Sequence, residues 1–303
     1  MTTPHRSAVV GLGSMGYGIA TSLLRAGHLT CGIDVDAERC RRFVDEGGVE
    51  NAWPQEAAAL DTLVVVVLNA AQTEAVLFGD GDGPGTVPDM ARGAVVIACA
   101  TVPPDTARDL AARCLEHGVH YLDAPISGGS VKAADGCLSV MASGTPEAFA
   151  AARPALEAMA TTVFELGDAA GAGSAMKAVN QMLAGVHIAA MAEALTFGMT
   201  QGVAPATFLE VISQCAGTSW MLENRAPHIV AGDYAPRSSV DIWPKDLGIV
   251  LDIAHAARFP APLTAAALQQ FLAASGSGLG AQDDAAVAKV YARNAGLTLP
   301  GEA

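Results

Sequence analysis

The chain has 303 residues, 51% hydrophobic and 16% charged, with 17 Lys+Arg against 31 Asp+Glu for a formal charge of −14. At roughly 150 residues per domain, this length points to two domains with a core large enough to need no staples. Low charge with much Ala, Gly and Val excludes intrinsic disorder, and the acidic balance argues against nucleic acid and membrane surfaces as partners.

In chain order, the opening MTTPHRSAVVGLG shows no apolar stretch before a small-residue cleavage site, so no signal peptide is expected. Ser7–Gly13 predicts a strand, Met15–Ala26 a helix, Leu29–Val35 a strand and Ala37–Glu46 a helix. The runs Thr62–Leu68 (TLVVVVL) and Ala94–Ala100 (AVVIACA) are uninterrupted apolar strands, separated by the Gly/Pro/Asp loop Gly79–Met90. A helix from about Pro104 to Glu116 follows, and Val119–Ala124, Cys137–Ala142 and Thr162–Leu166 complete the strand series. Continuous Val/Ile/Leu runs alternating with helices predict a parallel, doubly wound α/β sheet covered on both faces.

After Gly167 the pattern changes. Ser174 to Gln201 is almost all helix former, and Pro205–Gln214, Trp220–Val230, Asp246–Ala257, Pro262–Ala274 and Asp283–Asn294 read as further helices without a strand. The expected organisation is an α/β domain, residues 1–167, and an all-helical domain, residues 168–303, joined by one long helix. The apolar segment Met182 to Met199 is broken by His187 and Glu193 and reads as a buried helix, not a membrane span.

The first strand runs into Gly11-Leu12-Gly13-Ser14-Met15-Gly16 at the head of a helix. Gly11 permits the tight turn, Gly13 lets the backbone approach a pyrophosphate, and Gly16 lets helix pack on strand. Asp34 ends the second strand, where a carboxylate can accept from a ribose hydroxyl. Such a carboxylate repels a 2′-phosphate, and a second acid, Asp36, precedes Arg39, so NAD is expected over NADP. Leu68-Asn69 and Thr101 follow later strand ends and should meet the same cofactor, because ligands lie outside the carboxyl ends of the strands. Helix capping before Pro103-Pro104 is the alternative role for Thr101.

Ser127-Gly128-Gly129 offers a hydroxyl and consecutive N–H groups, a nest for a substrate carboxylate or simply a Gly-rich turn. Lys177 and Asn180 lie three apart on one face of the long helix. A lysine buried there beside a positive ring would have its pKa lowered towards the range of acid/base work; the alternative is a solvated face. His117 and His120 flank Gly118 without further ligands, so no metal site is expected, and His187 reads as a bonded core residue. The six cysteines are scattered without a CxxC pair, which suits reduced thiols in a cytoplasmic protein.

Taken together, GLGSMGYGIATSLLRAGH, DAPISGGSVKAADG, GAGSAMKAVNQ and WPKDLGIVL, in that order across nearly the whole chain, resemble the β-hydroxyacid dehydrogenase family. KAVNQ, SGGSVKAADG and VDIWPKDLG are most similar to its L-threonate dehydrogenase branch. The resemblance implies that Gly11–Gly16 and Asp34 hold NAD, with Thr101 at the nicotinamide end. It implies that Ser127, Gly128 and Gly129 hold a hydroxy-acid carboxylate, that Lys177 is the catalytic acid/base with Asn180 beside it, and that Lys245 reaches the cofactor. Asp283 would fall in a tail motif near a dimer contact, in a homodimer or homotetramer. Two positions depart from the common pattern: Gln181, where many members carry a second asparagine, and Lys132, where small residues are common. Within the enzymes, 3-hydroxyisobutyrate dehydrogenase, a semialdehyde reductase or an imine reductase are alternatives, the last opposed by Lys177. A non-catalytic dinucleotide-binding module is the alternative of a different class.

Overall fold

A computed structural model describes residues 4–49, 57–81, 83 and 85–302. Met1–Thr3 of the N-terminal stretch, and Asp82 and Pro84 of the predicted Gly79–Met90 loop, lie outside the described residues. The chain divides into two compact units, Met1–Lys177 and Ala178–Ala303.

In the first unit, β1 (Arg6–Val10), β2 (Leu29–Ile33), β3 (Thr62–Val65), β4 (Val95–Ala98) and β5 (His120–Asp123) form a parallel sheet in the order β2-β1-β3-β4-β5. An isolated parallel bridge from Cys31 to Val49 extends the β2 edge. Alternate residues of these strands enter two different cores: Val9, Val64 and Ile97 pack with Ile19 and Leu23, whereas Ala8, Val10, Leu63, Val65 and Val96 pack with Leu110. That split is the doubly wound arrangement, and it explains why the strands read as unbroken apolar runs. The connecting helices are α1 (Gly16–Arg25), α2 (Ala37–Asp45), α3 (Ala70–Phe78) and α4 (Pro104–Glu116). The strand order reverses between β1 and β3, which opens a crevice at their carboxyl ends.

Not every predicted strand joins that sheet. β6 (Ile126–Ser127), β7 (Leu138–Ala142) and β8 (Ala160–Glu165) form a second sheet, antiparallel between β6 and β7 and parallel between β7 and β8. The chain leaves the first sheet at Pro125, which has no N–H for a ladder, and an isolated Asp123–Ser143 bridge stitches the sheets together. Between these strands lie α5 (Gly129–Ala134) and α6 (Pro146–Met159), the latter capped by the Thr145 hydroxyl accepting from Ala148 N.

The long helix α7 spans Ala172–Thr200. Its start is held by one buried carboxylate. Asp123 Oδ2 accepts from Gly171 N (2.9 Å) and Ser174 N (2.8 Å), while Oδ1 accepts from Ser174 Oγ (2.7 Å). Ser143 Oγ donates to Oδ2 at 3.3 Å and accepts from Gly173 N at 2.9 Å. Burial pushes the Asp123 carboxyl above its ordinary range, and the Ser174, Gly171 and Ser143 donors pull it back. A Cβ on Gly173 would fall 2.4 Å from Met141 O and 2.7 Å from Asp123 O, so only glycine lets the helix start this close to the strands.

By length and composition α7 is apolar enough to cross a membrane. Its Ile188, Met191, Ala192 and Leu195 nevertheless sit in the core of the second unit with Leu222, Trp243, Leu247 and Phe271. Burying the Ile, Leu, Met and Phe side chains among these contributes about 1.5–3 kcal/mol each. The other helices of that unit are α8 (Pro205–Ile212), α9 (Trp220–Ala231), α10 (Ile242–Ala256), α11 (Pro262–Ala274) and α12 (Ala288–Asn294). Helix α10 starts at Ile242, earlier than the predicted Asp246, because Pro244 is tolerated in a first turn. The predicted Asp283–Asn294 helix is a short 3₁₀ turn, Asp284–Val287, followed by α12. Two buried acids anchor this tail: Asp284 takes Arg225 and Trp243 Nε1 (3.0 Å), and Asp283 takes His228 Nδ1 (2.8 Å) and Arg237 N (3.1 Å).

Replacing Asp123 with Ala leaves several buried donors without an acceptor, at about 1–3 kcal/mol each. Denaturant unfolding should show a loss of about 3 kcal/mol or more. Asp283 gives a pH dependence. Burial alone would raise its pKa, but bonds from His228, Arg237 N and Ala285 N outweigh that and hold it low. Its stabilisation is therefore complete above the unfolded carboxylate value of about 3.9 and is lost as pH falls through the lower folded value. Unfolding midpoints of Asp283→Asn measured from pH 7 to pH 2 should start lower and vary less below pH 4 than those of the unchanged protein.

Candidate active site

The Gly-rich turn follows β1 directly. Gly11 sits at φ +96°, and a Cβ there would fall 2.4 Å from Val66 O; on Gly16, the first residue of α1, it would fall 1.7 Å from Gly11 O. A Cβ on Gly13 would meet nothing within 4 Å. Two glycines thus close the turn and the third leaves open space, which is the shape a pyrophosphate needs against backbone. Leu12, Gly13 and Ser14 line a cleft of about 840 Å³ that reaches Ser130 and Ala134 of α5. Met15 is the cap residue of α1.

Asp34 stands one residue beyond β2 with its carboxylate engaged: Oδ2 accepts from Leu12 N (2.6 Å) and Oδ1 from Asp36 N (2.9 Å). It therefore ties the Gly-rich turn to the end of β2. Arg39 lies 3.5 Å from Asp34 and 3.3 Å from Asp36, so the guanidinium nearest the turn is already paired with two acids. The other arginines lining this cleft are also occupied: Arg42 lies 3.8 Å over the Tyr17 ring, and Arg25 donates to Ser22 Oγ and Ala134 O. Val35, next to Asp34, is fully exposed and was not singled out by sequence reasoning; only its place after a strand end could have flagged it.

Leu68 is exposed past the end of β3. Asn69 caps α3, its Oδ1 accepting from Gln72 N at 2.9 Å, a structural task for a residue read from sequence as a cofactor contact. Thr101 is half-buried beyond β4, and the cap position of α4 is Pro103 with no side-chain bond, so Thr101 does not cap that helix.

Ser127 ends β6, and Gly128 (φ +140°) and Gly129 (φ +79°) carry the chain into α5 through conformations that disfavour any side chain. The Lys132 stem packs against Gly128, where a Cβ would lie 3.0 Å from Lys132 Cδ. Lys177 is buried, only 9% exposed, and its Nζ donates to Ile126 O at 2.9 Å. The first unit therefore brings the Lys177 amine to within one residue of the Ser127-Gly128-Gly129 turn. That pairing suits an anionic substrate carrying an ionisable hydroxyl.

In the second unit, Asn180 Nδ2 donates to Gln181 Oε1 (2.9 Å), and Gln181 Nε2 donates to the buried Asp246 Oδ2. Lys245 Nζ lies 2.7 Å from Asp246 Oδ1. Sequence reasoning named Asn180 and Lys245 but missed Asp246, whose signal was its place in the KDL motif. His187 is half-buried and His117 exposed. Among the described residues no cluster of three or more His, Cys, Asp or Glu is placed to hold a metal. The six cysteines are free thiols, with burial pushing Cys99 and Cys114 up to about 12.

Residues 6–167 match the family described as the NAD binding domain of 6-phosphogluconate dehydrogenase, and residues 171–291 the one described as NAD-binding of NADP-dependent 3-hydroxyisobutyrate dehydrogenase. An L-threonate dehydrogenase of Cupriavidus necator is 51% identical over 97% of this chain and 98% of that protein. One from Escherichia coli K12 is 44% identical over 97% and 96%. The crystal structure of a 3-hydroxyisobutyrate dehydrogenase from Salmonella typhimurium is 45% identical, covers 94% of this chain and 99% of its own, and superposes with a TM-score of 0.88. The chain belongs to the 3-hydroxyisobutyrate dehydrogenase-like family of β-hydroxyacid dehydrogenases, NAD-dependent oxidoreductases that act on the CH–OH group of small hydroxy acids.

Proposed function

We propose that the protein oxidises L-threonate at its hydroxyl-bearing carbon, with Lys177 as the acid/base. The observation that carries this reading is the Lys177 Nζ bond to Ile126 O, which holds a buried amine beside Ser127, Gly128 and Gly129. Likeness to curated L-threonate dehydrogenases at 41–51% identity supports the choice of acid. The residues fit NAD: the open face of Gly13, with Leu12, Ser14, Met15 and the flanking Gly11 and Gly16, would take the pyrophosphate. Asp34 would take the adenosine ribose, Leu68 and Asn69 the strand-end side, Thr101 the nicotinamide end, and Lys245 a further contact. Bound NAD supplies the hydride acceptor. The N–H groups and hydroxyl of Ser127–Gly129 hold the substrate carboxylate, Lys177 Nζ takes the hydroxyl proton, and Asn180 orients the substrate. Residues 1–167 would form the cofactor domain and residues 168–303 the substrate and subunit-contact domain.

A second reading, 3-hydroxyisobutyrate oxidation, is favoured by the name of the Salmonella typhimurium structure. The fuller hydroxylation of threonate suits the extra polar groups Lys132 and Gln181. A homodimer or homotetramer in the cytoplasm belongs to the same proposal, supported by the exposed Val179, Leu183 and Phe197 of α7 and by the free thiols.

Initial rates of NADH formation over L-threonate, 3-hydroxyisobutyrate, glycerate and 4-hydroxybutyrate test the substrate. L-Threonate should give the highest kcat/KM; turnover of 3-hydroxyisobutyrate alone would reject the proposal. Lys177→Ala should lower kcat by about 10²-fold or more, while NAD binding by fluorescence titration stays nearly unchanged. With Arg39 already paired and Asp34 at the turn, kcat/KM for NAD should exceed that for NADP by about 10-fold or more, roughly 1.4 kcal/mol. Equal values would contradict it.

A further inference from the structure

Helix α5, Gly129–Ala134, is only six residues long. A helix this short does not hold itself, because nucleation costs more than one turn of bonds returns. Its carbonyl end shows what holds it. Val131 O accepts from Asp135 N (3.0 Å), Lys132 O from Cys137 N (2.8 Å) and Ala133 O from Gly136 N (3.3 Å), all donors of the turn that follows. Ala134 O instead meets side chains of α1. Ser22 Oγ lies 3.0 Å from Ala133 O and 3.3 Å from Ala134 O. Arg25 Nη2 donates to Ala134 O and, at 2.8 Å, to Ser22 Oγ. The Ser22 hydroxyl thus accepts from the guanidinium and turns its own proton to the end of α5.

The packing of the two helices is equally close. A Cβ on Gly18 of α1 would fall 2.5 Å from Ala134 N and 2.8 Å from Ala133 C, so only glycine lets α5 lie this near. Ser22 is buried, so water does not take the place of its hydroxyl. At its other end α5 begins where the Ser127-Gly128-Gly129 turn ends, with the Lys132 stem packed on Gly128. What fixes α5 therefore fixes that turn.

We propose that Ser22 and Arg25 are positioning residues for the Ser127-Gly128-Gly129 turn: by completing the carbonyl end of α5 they hold in place the groups that take the substrate carboxylate. This rests on the hydroxy-acid reading above. Helix α1 then serves two turns, the Gly-rich one at its first residue and the carboxylate one through side chains about two helical turns further along.

The test uses the full-length protein carrying Ser22→Ala, Arg25→Met or both, none of which alters the Gly-rich turn. Each single change should raise KM for L-threonate by about 3–10-fold, the scale of one lost hydrogen bond, and the double variant should exceed either. NAD affinity, measured by fluorescence titration, should stay nearly unchanged. Arg25→Lys keeps a donor beside Ala134 O and should lie close to the unchanged protein. A merely structural role would lower the thermal midpoint without separating the two affinities.

Variants that are folded by thermal unfolding and yet keep the original KM would overturn the proposal. So would a loss of NAD affinity equal to that for L-threonate, or an Arg25→Lys protein as impaired as Arg25→Met. If the unchanged protein turns over no hydroxy acid, the proposed function fails by itself. The positioning of the turn is then read from amide hydrogen exchange. Faster exchange over Gly128–Ala134 in Ser22→Ala, with Gly11–Gly16 unaltered, supports it, and equal exchange throughout overturns it.

Discussion

The carboxylate of Asp123 carries the junction on which the proposed chemistry depends. It sits at the end of β5, where the parallel sheet stops, and gathers the first N–H groups of α7 together with the hydroxyls of Ser143 and Ser174. A negative charge at a helix N-terminus meets unsatisfied donors and the positive end of the macrodipole, so the cost of burying it is offset where the helix needs an anion. The consequences run in two directions from that carboxylate. Along the strand, the chain reaches Ile126 and the Ser127-Gly128-Gly129 turn. Along the helix, one turn past Ser174, it reaches Lys177. The Lys177–Ile126 bond closes the loop, so amine and turn are held by the same anchor.

The sequence was most informative where a single physical rule dominates. Unbroken Val/Ile runs revealed strands buried on both faces, and the glycine spacing after β1 revealed a turn pressed against Val66 O. Lys177 stood out as a cation in an apolar helix. Less legible was what depends on partners distant in sequence. Asp123 reads as one more strand residue until Gly171 and Ser174 arrive from the next element. Asp246 hides beside Lys245 in a helical motif until Gln181 points at it. The second sheet was missed because β7 and β8 alternate with a helix just as the strands of the first sheet do; Pro125 hinted that the ladder could not continue. Asn69 and Thr101 illustrate the reverse ambiguity. Both follow strand ends, yet Asn69 caps its helix and Thr101 does not.

The distribution of charge at the cofactor end follows from the same reasoning. The protein is strongly acidic overall, yet three arginines line the cleft beside the Gly-rich turn. Each is engaged by neighbouring groups, Arg39 by Asp34 and Asp36. A paired guanidinium attracts a phosphate far less than an unpaired one, so in the proposed NAD site the backbone N–H groups and the helix N-terminus would hold the pyrophosphate. Cofactor preference is then a property of how acids and arginines are matched, not of the presence of an arginine near the turn.

The account is tested most directly by a crystal structure of the protein with NAD and L-threonate both bound. It predicts the carboxylate against the N–H groups of Gly128 and Gly129, with the reacting hydroxyl within hydrogen-bond reach of Lys177 Nζ. A ternary complex in which that amine points away from the hydroxyl, or in which the carboxylate lies elsewhere, would contradict it.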